Sequence, residues 1–322
     1  MKHRRTEGLY VWAEGFFRLL FVVLLFFSIL RVIDLLPQAE AKPAFTPSVP
    51  ATTEDPQASK ALPLYPIPVS PCEVKLLVES KSIDLRGQEP KILIYHTHTT
   101  EAYTATKESP YVQTSSYRTA DPSKSVLAVG EALAQRLRTQ YGFSVIHDTT
   151  DHEPPSLKTA YDRSEQTMHK YFEKYPSLVL FIDVHRDASS DTKDYVMVDG
   201  SPTARLMCVV GQGTKYADKP DFDTNYALAS VLTEKLRHID KRLSRDVRVK
   251  TGRYNQHVGR LNLLIEVGHN ANTLEQALNA VPFLAECLAL TLAEMDTSAG
   301  SMDDAMSFVR LLIPNGVGID KE

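Results

Sequence analysis

Three short apolar runs, far apart in the chain, each end in histidine or acidic residues. They begin at Ile92, Leu178 and Leu261. The polar residues that follow them are His96, His98 and Glu101, then His185, Arg186 and Asp187, then Glu266. Buried parallel strands appear as continuous apolar runs, and ligands of open α/β sheets bind outside the carboxyl ends of the strands. The pattern predicts one sheet that gathers these polar side chains at one edge.

Strand-like and helix-like segments alternate between residues 72 and 297, which favours a three-layer α/β/α sandwich with a mostly parallel central sheet. The predicted strands are 91–95, 143–147, 178–184, 195–198, 206–211 and 263–267, with a turn at Asp199-Gly200 between the fourth and the fifth. The predicted helices are 125–141, 162–174, 226–239 and 273–295. We interpret residues 72–297 as one catalytic domain, followed by a tail at 298–322.

The amino terminus carries Lys2, Arg4 and Arg5 ahead of an apolar block at residues 16–36. Residues 1–36 are predicted to be a short cytoplasmic stub and a transmembrane signal anchor, which places the catalytic domain outside the cell membrane. The unbroken apolar core is short, as in a signal peptide, and Ala39-Glu40-Ala41 resembles a cleavage site. Cleavage there, which would release the catalytic domain from the membrane, is the alternative to a retained anchor. Nine prolines in residues 37–71 predict an extended extracytoplasmic linker.

Charge and cysteine content exclude two classes of function. The formal net charge is −4 and the pI is about 6.2, so the basic excess typical of nucleic-acid binding is missing. The three cysteines form no CxxC pair, which argues against a thiolate zinc cluster and a dense disulfide framework.

The polar strand ends contain the residue types of a hydrolytic zinc site. Such a site needs three histidine or carboxylate ligands, an open position for water, and a carboxylate that accepts the proton of the water. His98, Glu101 and His185 are the predicted ligands, and Glu266 is the predicted general base. His96 lies two residues before His98 and, in an extended segment, would face the same side. Either could therefore be the ligand; we favour His98, which lies past the strand, and interpret His96 as a neighbour of the ligands or of the substrate.

Other polar residues lie near the strand ends. Arg186 is predicted to be a catalytic residue together with Glu266: it could bind a substrate carboxylate in bidentate fashion, or pair with Asp187. His269, three residues after Glu266, could line the cleft. The remaining histidines that we considered are interpreted as surface or packing residues; they are His147, His152, His169, His238 and His257.

Three sequence blocks resemble the stage II sporulation protein P family. They are IYHTHTTEAY (94–103), FIDVHRDA (181–188) and RYNQHVGRLNLLIEVGHNANTLEQA (253–277). The resemblance implies a membrane-anchored peptidoglycan hydrolase related to zinc-dependent N-acetylmuramoyl-L-alanine amidases. It implies cleavage between the lactyl group of N-acetylmuramic acid and L-alanine, and in some members of peptide cross-links. It further implies a partner, the lytic transglycosylase stage II sporulation protein D, during engulfment of the forespore.

The resemblance assigns the zinc positions to His98, Glu101 and His185, and the catalytic carboxylate to Glu266. His269 departs from the pattern, because glycine is expected after Glu-Val-Gly. Two alternatives stay open from the sequence: a catalytically silent wall-binding or scaffold module, and a zinc peptidase that acts only on stem peptides or cross-links.

Overall fold

The structure, a computed structural model, describes residues 87–188 and 194–295. All of them belong to one unit, residues 61–322. The predicted anchor and linker, residues 1–71, and the tail, residues 298–322, lie outside the described residues.

Strands and helices alternate along the described chain. The strands are β1 (Ile92–Tyr95), β2 (Val145–His147), β3 (Leu180–Asp187), β4 (Tyr195–Val198), β5 (Ser201–Ala204), β6 (Leu206–Gly211), β7 (Arg248–Lys250) and β8 (Leu261–His269). The α-helices are α1 (Val126–Thr139), α2 (Ala160–Lys174), α3 (Phe222–Ile239) and α4 (Leu274–Met295). Short 3₁₀ helices cover Pro122–Lys124 and Leu157–Thr159.

The central sheet has the strand order β2-β1-β3-β8-β6-β7. Neighbouring strands run parallel, except that β6 pairs with β8 in antiparallel orientation. The prediction of an α/β fold with a mostly parallel central sheet is therefore confirmed. Strands β1, β3 and β8 lie side by side, so the three apolar runs end at the same edge of the sheet.

Helices cover both faces of this sheet. Ile92 and Ile94 of β1 point into the larger core, which contains buried residues of α1, α3 and α4. Leu93 and Tyr95 alternate to the other face and contact Met168 of α2. The arrangement gives three layers, and each face of a given strand carries every second side chain.

Local sequence explains the helices that form the larger core. Ser125 caps α1, because its side chain accepts a hydrogen bond from the Leu127 amide. Val129, Leu133 and Leu137 then follow at helical spacing and are fully buried. Helix α4 is long and apolar enough to cross a membrane by length and composition, and it is the one such helix among the described residues. It packs, mostly buried, against α1, α3 and β5.

Two details differ from the sequence prediction. The Asp199-Gly200 turn joins β4 to β5 in a separate two-stranded hairpin, instead of joining β4 to the strand at 206–211. That strand, β6, belongs to the central sheet and pairs with β8. Both turn residues have positive φ, as tight hairpin turns require. Helix α3 begins at Phe222, one turn earlier than predicted, because Asp221 caps it by accepting from the Thr224 amide.

Candidate metal centre and active site

The strand register brings His185 and Glu266 together. Parallel strands β3 and β8 pair so that His185 and Glu266 are direct partners. Asp183, two residues before His185, shares its face of β3. Sequence reasoning missed Asp183; the signal was an aspartate inside an apolar strand, two positions before a histidine.

His98 and Glu101 reach the same place from the loop after β1. The rings of His98 and His185 contact edge to face, with centroids 5.5 Å apart. Glu101 Oε2 lies 3.3 Å from His185 Nδ1. The structure therefore places Glu101 next to His185, the strand partner of Glu266, and brings the His98 ring against the His185 ring.

Asp183 positions the imidazole of His185. Its carboxylate is fully buried and accepts two hydrogen bonds from Thr97, from the amide at 2.9 Å and from the hydroxyl at 2.6 Å. Asp183 Oδ1 also lies 2.8 Å from His185 Nε2, which leaves Nδ1 facing Glu101. Burial alone would lower the pKa of His185, but Asp183 and Glu101 outweigh it and raise the pKa well above its ordinary value. A carboxylate behind a histidine is the usual support of a metal-binding imidazole.

Glu101 is held ionised by its surroundings. Burial opposes ionisation, yet His185 and Arg186 lower the pKa of Glu101 to about 2. Arg118 and Arg186 each place a guanidinium nitrogen 3.7 Å from Glu101 Oε1. The carboxylate can therefore act as an anionic ligand across the physiological pH range.

Glu266 is a partly buried residue with one buried carboxyl oxygen. Its Oε2 is buried and has no hydrogen-bond partner among the residues that the structure describes. Burial raises the pKa of Glu266 to about 8; His185 opposes this shift and Glu101 adds to it. A carboxyl group with such a pKa can accept and release a proton near neutral pH.

His96 lies on the opposite face of the sheet. Its Nδ1 is 2.8 Å from the Val184 carbonyl oxygen, and its Nε2 is 2.9 Å from His147 Nε2. The ring packs against Gly130 of α1, and burial, then His147, lowers the pKa of His96 to about 3. The expectation that His96 and His98 face the same side is wrong, because β1 ends at Tyr95 and the chain is no longer extended between the two histidines.

Arg186 and His269 both have defined hydrogen-bond partners. The Arg186 guanidinium donates to the carbonyl oxygens of Ala102 and Tyr117, each at 3.0 Å, so it holds the segment around the site. The Arg186–Asp187 ion pair is not formed; Asp187 Oδ2 pairs with Arg245 and Arg248 at 3.2 and 3.4 Å. His269 is fully buried at the turn into α4, where its Nδ1 accepts from the Ala271 amide.

Sequence reasoning also missed residues that surround His98. Glu153 Oε1 lies 3.5 Å from His98 Nδ1 and forms an ion pair with Arg118. The ring of Tyr161 on α2 contacts His98 edge to face at 5.8 Å and Tyr254 at 5.6 Å. Glu153 and Arg118 come from irregular segments, and no periodicity in the sequence signals their position.

The donor set fits zinc in chemistry and nearly in spacing. Two imidazoles and one carboxylate are common ligands of catalytic zinc, and donors bound at about 2.0–2.2 Å in a tetrahedron lie roughly 3.3 Å apart. The separation of 3.3 Å between Glu101 Oε2 and His185 Nδ1 meets this. His98 is too far away to complete a three-ligand site in this conformation. Its Nδ1 faces Glu153, and the donor atoms of His98, Glu101 and His185 are not all within 4.8 Å of one another.

The chain resembles one protein family in sequence and several solved structures in fold. Over 211 residues the chain is 28% identical to stage II sporulation protein P of Bacillus subtilis (strain 168), which covers 62% of this chain and 50% of the relative. The chain thus spans about half the length of the curated relative that it matches.

Two solved structures with a similar arrangement are N-acetylmuramoyl-L-alanine amidases. One is from Clostridium difficile 630, with a TM-score of 0.40 and 13% identity over 64% of this chain and 98% of that chain. The other is a catalytic domain from Bacillus (Paenibacillus) polymyxa, with a TM-score of 0.35 and 13% identity over 69% and 99%. Both TM-scores are below 0.5, so the family assignment depends on the sequence.

The family model for stage II sporulation protein P matches residues 41–289, well over half of the 322-residue chain. This range includes all three polar strand ends. The chain belongs to the stage II sporulation protein P family.

Proposed function

We propose that this chain is a zinc-dependent peptidoglycan hydrolase that cleaves the amide between the lactyl group of N-acetylmuramic acid and L-alanine. The observation that carries the proposal is the pairing of His185 and Glu266 across β3 and β8, with Glu101 3.3 Å from His185. The pairing supports the proposal because it sets two candidate metal ligands beside a carboxyl group that has one oxygen without a hydrogen-bond partner among the described residues. Family membership supports the substrate class.

In this proposal His98, Glu101 and His185 hold the zinc ion. Bound zinc would polarise the amide carbonyl and lower the pKa of a water molecule to near 7. Glu266 accepts a proton from the water as its oxygen adds to the amide carbon. The same carboxyl group returns the proton to the amine nitrogen as the carbon–nitrogen bond breaks. Asp183 keeps the His185 imidazole oriented throughout.

The wider setting is also a proposal. Residues 1–36 would anchor the chain in the cell membrane and residues 37–71 would tether the catalytic domain, residues 72–297, on the outer side. The relative is named for sporulation, and we place the activity of this chain there as well. Its partners would be peptidoglycan and the lytic transglycosylase stage II sporulation protein D.

The test is digestion of purified peptidoglycan by the full chain, with zinc or after chelation, followed by mass spectrometry of the fragments. We expect free stem peptides that begin with L-alanine, and glycan strands without peptides, in the zinc-loaded reaction only. Fragments cut within stem peptides or cross-links would identify a peptidase instead. Intact peptidoglycan, also after the glycan has been cut by a lytic transglycosylase, would favour a silent scaffold.

A further inference from the structure

A second cluster of ligand-type side chains lies between α2 and the segment before β8. Glu165 and His169 are one helical turn apart on α2, and His257 faces them from the segment 251–260. Their donor atoms all lie within 4.8 Å of one another, and this is the one such group of three in the described part of the chain. It shares no residue with the proposed catalytic set.

The individual distances suit a metal ion. Glu165 Oε1 is 3.0 Å from His257 Nε2 and 3.9 Å from His169 Nε2. These values lie on both sides of the roughly 3.3 Å that separates the donors of a tetrahedral zinc ion. Asp218 Oδ2 lies 3.6 Å from His257 Nε2 on an exposed side chain, outside this group of three.

One carboxylate oxygen of Glu165, Oε1, is available to bind the ion, because Arg253 pairs with the other. Arg253 donates to Glu165 Oε2 at 2.7 Å, so the arginine orients the carboxylate through the oxygen that does not face the histidines. Such a partner behind a ligand is common at metal sites. The His257 side chain is 4% exposed. His169 is 53% exposed and gives an ion access from solvent.

We propose that Glu165, His169 and His257 form a second binding site for a divalent transition-metal ion, with zinc as the best match. Two imidazoles with a carboxylate favour zinc over magnesium or calcium, which prefer all-oxygen sites. We assign the ion a structural role, because it would join α2 to the segment 251–260 and shares no residue with the proposed catalytic set.

The metal site would stabilise a segment next to the proposed catalytic set. The segment 251–260 carries Tyr254, whose ring contacts Tyr161 of α2 at 5.6 Å, and Tyr161 in turn contacts His98. Tyr254 and Asn255 both have φ near +50°, a conformation that must be held by surrounding contacts. A metal ion that joins α2 to His257 would stabilise this segment.

The test counts zinc bound to the full chain after chelator treatment and reloading, by dialysis and elemental analysis. The variant is His169→Gln, which changes an exposed side chain, and the matched control is Lys170→Gln on the same exposed helix surface. We expect His169→Gln to bind one equivalent fewer than the wild type, and Lys170→Gln to bind the same number. The comparison is repeated with His185→Ala present, where zinc at the proposed catalytic set is removed.

Each result decides the proposal without reference to hydrolysis. One equivalent that persists with His185→Ala and disappears when His169→Gln is added supports the second site, even if the catalytic proposal is wrong. A second readout is hydrogen exchange of residues 251–260, which should slow when zinc is added to the wild type and not to His169→Gln. Equal zinc content in the wild type and His169→Gln at micromolar free zinc would overturn the proposal.

Discussion

Gly130, in the middle of α1, allows the helix to approach the paired imidazoles of His96 and His147. A Cβ atom at Gly130 would lie 2.6 Å from His96 Cε1 and 2.8 Å from His147 Nε2. Carbon atoms in contact are normally about 3.5–4.0 Å apart. Gly130→Ala must therefore displace two buried rings or move the helix away from the sheet.

The expected cost follows from opposing effects. Replacing a helical glycine by alanine usually stabilises by about 0.5–1 kcal/mol. Overpacking costs about 1–3 kcal/mol, and loss of the 2.9 Å His96–His147 hydrogen bond leaves a buried nitrogen unpaired at about 1–3 kcal/mol. The balance is a net destabilisation of about 3 kcal/mol.

Denaturant unfolding of the full chain measures this change. The control is Gln135→Gly at an exposed position of the same helix, which should lose only about 1 kcal/mol from helix propensity. If Gly130→Ala were as stable as the wild type or more stable, the close approach of α1 to His96 would be refuted.

Two further predictions concern buried acids. Asp183→Asn removes the charge behind His185 and should weaken zinc binding about 10- to 100-fold, measured by competition with a chelating dye; unchanged affinity would contradict the positioning role. Burial raises the pKa of Glu286 on α4 from 4.5 to about 7 in the folded chain. The protonated side chain therefore contributes to folding stability below about pH 4.5, and this contribution is lost as the pH rises to about 7. Glu286→Gln should therefore match the wild type near pH 4.5 and exceed its stability by on the order of 2 kcal/mol at pH 8. Unfolding at both pH values checks this, with Glu275→Gln on the exposed side of α4 as the control; a variant without gain at pH 8 would contradict it.

The sequence predicted the part of the site that depends on strand ends. Apolar runs at β1, β3 and β8 end in His98, His185 and Glu266, and side-by-side parallel strands bring such ends together. The strand order itself was not predictable, because it depends on how the helices pack on the two faces. The β4–β5 hairpin was likewise assigned to the wrong strand pair, because β5 reads Ser-Pro-Thr-Ala and lacks a strand-like apolar pattern, whereas β6 is a continuous apolar run.

Positions set by irregular backbone could not be predicted. His96 keeps the face of Ile94, whereas the chain bends at Thr97 and turns His98 away; an extended-chain assumption placed the two histidines side by side. Glu153 and Arg118 approach His98 from loops whose conformation follows from tertiary contacts. His169 and His257 were interpreted as surface or packing residues, because they are 88 positions apart and only the fold brings them together at Glu165.

The central claim is that His185 binds zinc and that Glu266 transfers a proton without binding the metal. One experiment tests both roles. Zinc content and release of L-alanine-ended stem peptides are measured for the wild type, Glu266→Gln and His185→Ala. The account predicts that Glu266→Gln keeps the zinc of the wild type but loses hydrolysis, because the carboxyl group is not a ligand. His185→Ala should lose hydrolysis and the zinc at the catalytic set. Hydrolysis at the wild-type rate by Glu266→Gln would contradict the account.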